Sequence, residues 1–207
     1  MKIAGRVATI IAATAAAVSL AFAGSAQAAP NWDRADIPSK SDIKAAAAAP
    51  TDPFYWVLSP KHMDLLQCVD LFNGGADNGA AIIQWDCHGL ENQQFAPLFT
   101  VDGNSEGISV VFINRKSGKC IDLYNGDLAN GTPIIQWTCH NGANQKWEFI
   151  DVLNDPNTPD DDTVLLKNRK SGKCLEVFNG STQRGAIMTQ WDCHSGANQQ
   201  FTAYQAP

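Results

Sequence analysis

Three times along this chain an acid, a tryptophan, a histidine and an asparagine recur in the same order at identical spacing. The sets are Asp70, Trp85, His88 and Asn92, then Asp122, Trp137, His140 and Asn144, then Glu176, Trp191, His194 and Asn198. A carboxylate accepts hydrogen bonds, an amide both donates and accepts, and an indole offers a flat apolar face. Together these groups suit reversible recognition of a polyhydroxylated ring, whose C–H faces stack on the aromatic while its hydroxyls meet the acid and the amide. They do not suit bond cleavage. The chain has no His-Glu-x-x-His and no glycine-rich phosphate loop, and its acids repeat with the pattern instead of forming one asymmetric pair. Plainer readings stand beside this one. Asp70 and Asp122 could be turn residues serving backbone donors, the tryptophans could be core, and each histidine could bond only its own turn.

These residues belong to a unit spanning residues 114–147, which returns at 168–201 and again at 68–95. Within every copy two cysteines lie 19 positions apart, and the copies follow one another at 52 and 54 residues. A period of that size marks one supersecondary unit repeated around an axis or along a stack. Six cysteines permit many pairings, but the repeat selects the one that treats every copy alike: Cys68 with Cys87, Cys120 with Cys139, Cys174 with Cys193. A metal site is disfavoured, because CxxC and HxxxH spacings are absent. Residues 110–113, 120–124, 133–137 and 147–152 have strand composition and are separated by turn residues, among them Asn78-Gly79, Asn130-Gly131 and Arg184-Gly185. About four strands per copy and twelve in all predict a closed all-β barrel capped by hairpins, since no single unit could bury its own apolar face.

The start of the chain reads differently. Lys2 and Arg6, an apolar run over residues 7–22 and small residues at Ala26 and Ala28 predict a secretory signal over residues 1–28. Residues 29–52 read as a linker or propeptide, and 53–207 as the domain, with copies at about 54–100, 101–153 and 154–207. Losing Lys2 and Arg6 but no acid carries the formal charge from −6 to −8. Such a balance disfavours nucleic acid, which needs clustered Lys and Arg. The acidic run at 160–162 lacks the glycine and terminal glutamate of a calcium loop and reads as a solvated turn.

The pattern Cys-Val-Asp or Cys-Ile-Asp, then Asn-Gly, Gln-Trp-x-Cys-His, and Asn-Gln-x-Phe or Asn-Gln-x-Trp resembles the ricin B-type lectins. It most resembles the bacterial family 13 carbohydrate-binding modules, over residues 54–206. The resemblance implies a β-trefoil with pseudo-threefold symmetry, one disulfide per repeat, no cofactor and no enzymatic activity. It implies a secreted protein with up to three shallow sites for galactose-type sugars or for plant or cell-surface polysaccharide, built from the twelve residues above. Gln93, Gln145 and Gln199 would support the acids from behind, and Phe95, Trp147 and Phe201 would fill a shared core. The protein is expected to be a monomer, acting alone or as the targeting subunit of a separate effector chain. A β-trefoil inhibitor acting through residues 59–67, 101–107 or 154–163 is the other class.

Two departures qualify the resemblance. Many family members carry a glutamine where this chain has Ile83, Ile135 and Thr189, while Gln84, Gln136 and Gln190 directly precede the tryptophan and so face the other way. Glu176 replaces an aspartate and carries its carboxylate about 1.5 Å further. The third copy is therefore expected to bind least well.

Overall fold

A computed structural model describes residues 54–63, 65–101, 108–151, 163–194 and 196–207. The expected signal and linker, the acidic run at 160–162 and most of the loops at 101–107 and 154–163 lie outside the described residues. Among the described residues twelve strands form, four per copy. They are β1 (Trp56–Pro60), β2 (Gln67–Leu71), β3 (Ile82–Asp86) and β4 (Phe95–Val101) in the first copy. The second holds β5 (Ile108–Asn114), β6 (Cys120–Leu123), β7 (Ile134–Trp137) and β8 (Trp147–Asp151), and the third β9 (Val164–Asn168), β10 (Cys174–Val177), β11 (Met188–Trp191) and β12 (Gln200–Gln205).

Six of these strands close a barrel. Each of β1, β4, β5, β8 and β9 pairs antiparallel with the next in that series, β9 pairs with β12, and β12 pairs back with β1. The other six form the hairpins β2–β3, β6–β7 and β10–β11. Isolated bridges Ala81–Ile135, Ile83–Ile187 and Pro133–Thr189 join those hairpins into a triangular cap. This is the hairpin-capped barrel expected from the repeat, in the β-trefoil form that the resemblance implies.

The core follows the same threefold logic. Phe95, Trp147 and Phe201 are buried and stand opposite Trp56, Val110 and Val164 in register. Trp56 also meets Phe99, Phe112 and Phe149 with ring centroids 5.9, 6.5 and 6.2 Å apart, geometry in which aromatic pairs attract beyond their buried area. Disulfides Cys68–Cys87, Cys120–Cys139 and Cys174–Cys193 form as the repeat predicts. Each ties the first strand of a cap hairpin to the residues just beyond its second strand.

One local feature departs from the strand prediction. Tyr124 does not extend β6 but opens a single 3-10 turn, Tyr124–Gly126, in which Asn125 and Gly126 both take positive φ (52° and 59°). The same turn follows β2 and β10, and Asn and Gly are the residues that tolerate this left-handed backbone.

Candidate functional site

Strand alternation decides what each cap hairpin presents. In β6–β7, Asp122 stands opposite Ile135 and Cys120 opposite Trp137, so acid, isoleucine and indole share one face. Ile134 and Gln136 point to the other, buried face. The tryptophans are not core. Trp85, Trp137 and Trp191 are 40, 41 and 36% exposed. In the second copy Asp122, Tyr124, Asn125, Ile135, Trp137, His140 and Asn144 line a shallow cavity of about 170 Å³. That is below the usual range of about 300–1,000 Å³ for small-molecule pockets and suits one ring held at the surface.

The acid at the floor is buried and mostly engaged. Asn144 Nδ2 donates to Asp122 Oδ1 at 2.9 Å, Gln145 Nε2 donates to Oδ2 at 2.7 Å, and His140 Nε2 lies 3.3 Å from Oδ2. The His140 tautomer follows from its other nitrogen: Nδ1 accepts from the Gly142 amide at 3.1 Å, so Nε2 carries the proton and points it at the carboxylate. Both the turn and the acid claim this histidine. With two acceptor positions per oxygen, Asp122 Oδ1 keeps one, enough for a single hydroxyl and not the two that such an acid could take if free. Gln145 stands behind as expected, donating also to Thr138 O at 3.0 Å and accepting from the His140 amide at 2.9 Å.

Burial raises the pKa of Asp122 above the ordinary carboxylate value of 3.8, and hydrogen bonds from Gln145, Asn144 and His140 offset only part of that push.

The first copy repeats this arrangement. Asn92 Nδ2 donates to both Asp70 oxygens at 3.0 and 2.9 Å, Gln93 Nε2 to Oδ2 at 2.8 Å, and His88 Nε2 lies 3.3 Å away. The acids are thus held by side chains on a strand and are not turn residues. The third copy is looser. Glu176 receives Asn198 at 3.3 Å and Gln199 at 3.1 Å, His194 lies 3.6 Å off, and the longer side chain reaches across the hairpin to Thr189 Oγ1 at 3.4 Å.

A second cause lies in the barrel. Asn114 and Asn168 stand opposite Phe95 and Trp147, and their Nδ2 groups donate to the carbonyls of Asn92 and Asn144 at 3.0 Å. At the equivalent place opposite Phe201 stands Pro60, which has no such donor. There the Asn198 carbonyl accepts instead from the Val177 amide at 3.0 Å, and its Nδ2 also turns to Val177 O at 3.2 Å.

The platforms are held from neighbouring copies. Gln136 Nε2 donates to Gly75 O and Asp77 O at 2.8 Å, Gln190 Nε2 to Asp127 O and Ala129 O, and Gln84 Nε2 to Ser181 O and Gln183 O. Just past each tryptophan the next residue is clasped as well: Thr138 by Asn78, Asp192 by Asn130 and Asp86 by Arg184. These glutamines face away from the site, as their position in the strand predicts. Sequence reading missed Tyr124 and Asn125 as lining residues. Their signal was the aromatic-Asn-Gly triplet repeated at 72–74, 124–126 and 178–180.

Comparison with known proteins bears on what such a site binds. A family model described as ricin-type beta-trefoil lectin domain-like matches residues 49–137 and 143–207. Nigrin b of Sambucus nigra is 32% identical over 82 residues, which are 40% of this chain and 12% of nigrin b. The designed threefold-symmetric protein ThreeFoil superposes with a TM-score of 0.64 at 32% identity, over 72% of this chain and 97% of ThreeFoil. The exo-β-1,3-galactanase 1,3Gal43A of Clostridium thermocellum gives a TM-score of 0.65 at 30% identity, over 75% of this chain and 31% of the galactanase. The chain therefore spans only a small part of nigrin b and about a third of the galactanase.

Proposed function

The chain belongs to the ricin-type β-trefoil lectin family, whose domains bind carbohydrate, and from that premise we propose that it is a secreted, non-catalytic lectin for galactose-type sugars on polysaccharide or surface glycans. The observation that carries this reading is the second-copy cavity, where an exposed indole stands over a buried carboxylate with one acceptor position left. Trp137 stacks on the sugar's C–H face, Asp122 and Asn144 take hydroxyls, and Tyr124 borders the opening. Galactose-type ligands are favoured by the likeness to a β-1,3-galactanase, and that likeness also supports a role as the targeting part of a hydrolase assembly. The first copy works the same way, and the third contributes least. Two sites engaging one polymer raise avidity by roughly 10² to 10⁴ if the ligand spans them. Secretion is supported by the charged and apolar start of the chain and by three disulfides, which persist in oxidising compartments.

A glycan and polysaccharide array tests the proposal. The oxidised protein is expected to bind galactose-containing glycans, and the triple variant Trp85→Ala, Trp137→Ala, Trp191→Ala to lose that binding while keeping its circular dichroism. Equal binding by both proteins would refute the tryptophan sites.

A further inference from the structure

The three sites each hold an acid and an indole but differ in the three residues between the histidine and the asparagine, Gly89-Leu90-Glu91, Asn141-Gly142-Ala143 and Ser195-Gly196-Ala197, and the middle one packs against the site. It is Gly142 in the second copy, Gly196 in the third and Leu90 in the first. The two glycines are packed against the site. A Cβ at Gly142 would lie 2.7 Å from both Asn144 Oδ1 and His140 Cε1, and one at Gly196 would lie 2.7 Å from His194 Cε1 and 2.8 Å from Asn198 Oδ1. Leu90 has nearly the same backbone conformation as Gly142 (φ −75°, ψ 163° against φ −71°, ψ 156°), and its amide likewise donates to the histidine Nδ1 at 3.1 Å. Its side chain therefore leaves the backbone toward the same gap between imidazole and amide.

Around Leu90 the shared arrangement differs in detail. Asn92 straddles both Asp70 oxygens where Asn144 reaches one oxygen of Asp122, and Gln93 Oε1 accepts from the Gly89 amide at 3.2 Å in addition to that of His88. The imidazole is also more covered, 31% exposed against 44 and 45% in the other copies. Leu90 itself remains 63% exposed. An exposed branched aliphatic group beside polar sugar-binding atoms gains nothing from a hydroxyl and gains from an apolar substituent.

We propose that Leu90 is a specificity-determining residue that makes the first site selective for galactose-type sugars carrying a methyl group, either an acetamido methyl or a 6-deoxy carbon. The inference rests on the sugar-binding reading of the first copy. It divides the three copies by ligand, so that a chain of internal repeats recognises more than one decoration of the same glycan.

The test uses the full chain with Trp137→Ala and Trp191→Ala, which leaves only the first site, titrated calorimetrically with galactose, N-acetylgalactosamine and 6-deoxygalactose. At least one methyl-bearing sugar is expected to bind about three- to fivefold more tightly than galactose, the gain for burying one methyl-sized group. The preferred sugar identifies the substituent. Adding Leu90→Gly, which installs the residue the sister copies carry, is expected to erase that preference, whereas Leu90→Met retains it. Binding of all three sugars with equal affinity, or a preference that survives Leu90→Gly, overturns the inference and leaves the sugar site standing. Binding of none overturns both. The reciprocal Gly142→Leu, in a chain with Trp85→Ala and Trp191→Ala, is expected to weaken galactose binding at the second site at least tenfold with circular dichroism unchanged, and undiminished binding there would contradict the steric argument.

Discussion

At the scale of single residues, the site turns on a carboxylate kept where it is uncomfortable. Asp122 is buried, and desolvation raises its pKa despite three donors aimed at it. The consequence for stability has a definite sign. The unfolded chain ionises near the ordinary value of 3.8 while the folded one still holds its proton, so this group's contribution to stability falls as pH rises through that value toward the raised one. Binding has the opposite dependence, because a sugar hydroxyl must donate to the ionised acid. We expect affinity at the second site, isolated by Trp85→Ala and Trp191→Ala, to be lost on acidification at a pH above 3.8, earlier than an exposed carboxylate would allow. Calorimetric titration from neutral pH downward checks this, and affinity independent of pH across that range would remove Asp122 from the binding step. The acids, indoles and supporting glutamines were legible in the sequence because they repeat at fixed spacing. The histidine's role was not, since a bond to the turn and a bond to the acid use different nitrogens of one ring, and spacing says nothing of ring orientation.

At the scale of elements, each cap hairpin is a two-faced ribbon whose outer face is the site and whose inner face locks it to a neighbour. Gln136 is fully buried, and it joins two carbonyls of the preceding copy's turn to Ser117 Oγ, which donates to its Oε1 at 2.6 Å. Gln136→Ala strands these groups. It is expected to cost about 1–3 kcal/mol in denaturant unfolding, the usual penalty for buried polar groups left without partners, and to weaken sugar binding through a loosened Trp137. No change in stability would show that the turn carbonyls find water instead. The direction of the glutamines was legible from period-two alternation. Their partners were not, because one sequence shows what a strand presents on each face but not which copy lies beside it in a closed ring. Pro60 is the clearest case. The first copy lacks the Asn-Arg-Lys-Ser-Gly-Lys run of the other two, so only the register places Pro60 where Asn114 and Asn168 stand.

At the scale of the whole molecule, a threefold fold carries three unequal sites. The core triplets and disulfides keep the symmetry, while the rims break it through Leu90 in the first copy, Tyr124 in the second, and Glu176, Thr189 and the loss of the Pro60-position donor in the third. Symmetry supplies the scaffold and its departures supply selectivity, which suits a polymer bearing varied decorations. The tryptophans among the described residues offer a direct test, because Trp56 and Trp147 are buried in the core while Trp85, Trp137 and Trp191 stand at the sites. Their indole N–H signals can be followed by NMR in ¹⁵N-labelled protein during titration with lactose. The signals of Trp137 and Trp85 are expected to move, that of Trp191 to move least of the three, and those of Trp56 and Trp147 to stay in place. Saturating lactose that leaves Trp85, Trp137 and Trp191 all unmoved would contradict the sugar-binding reading.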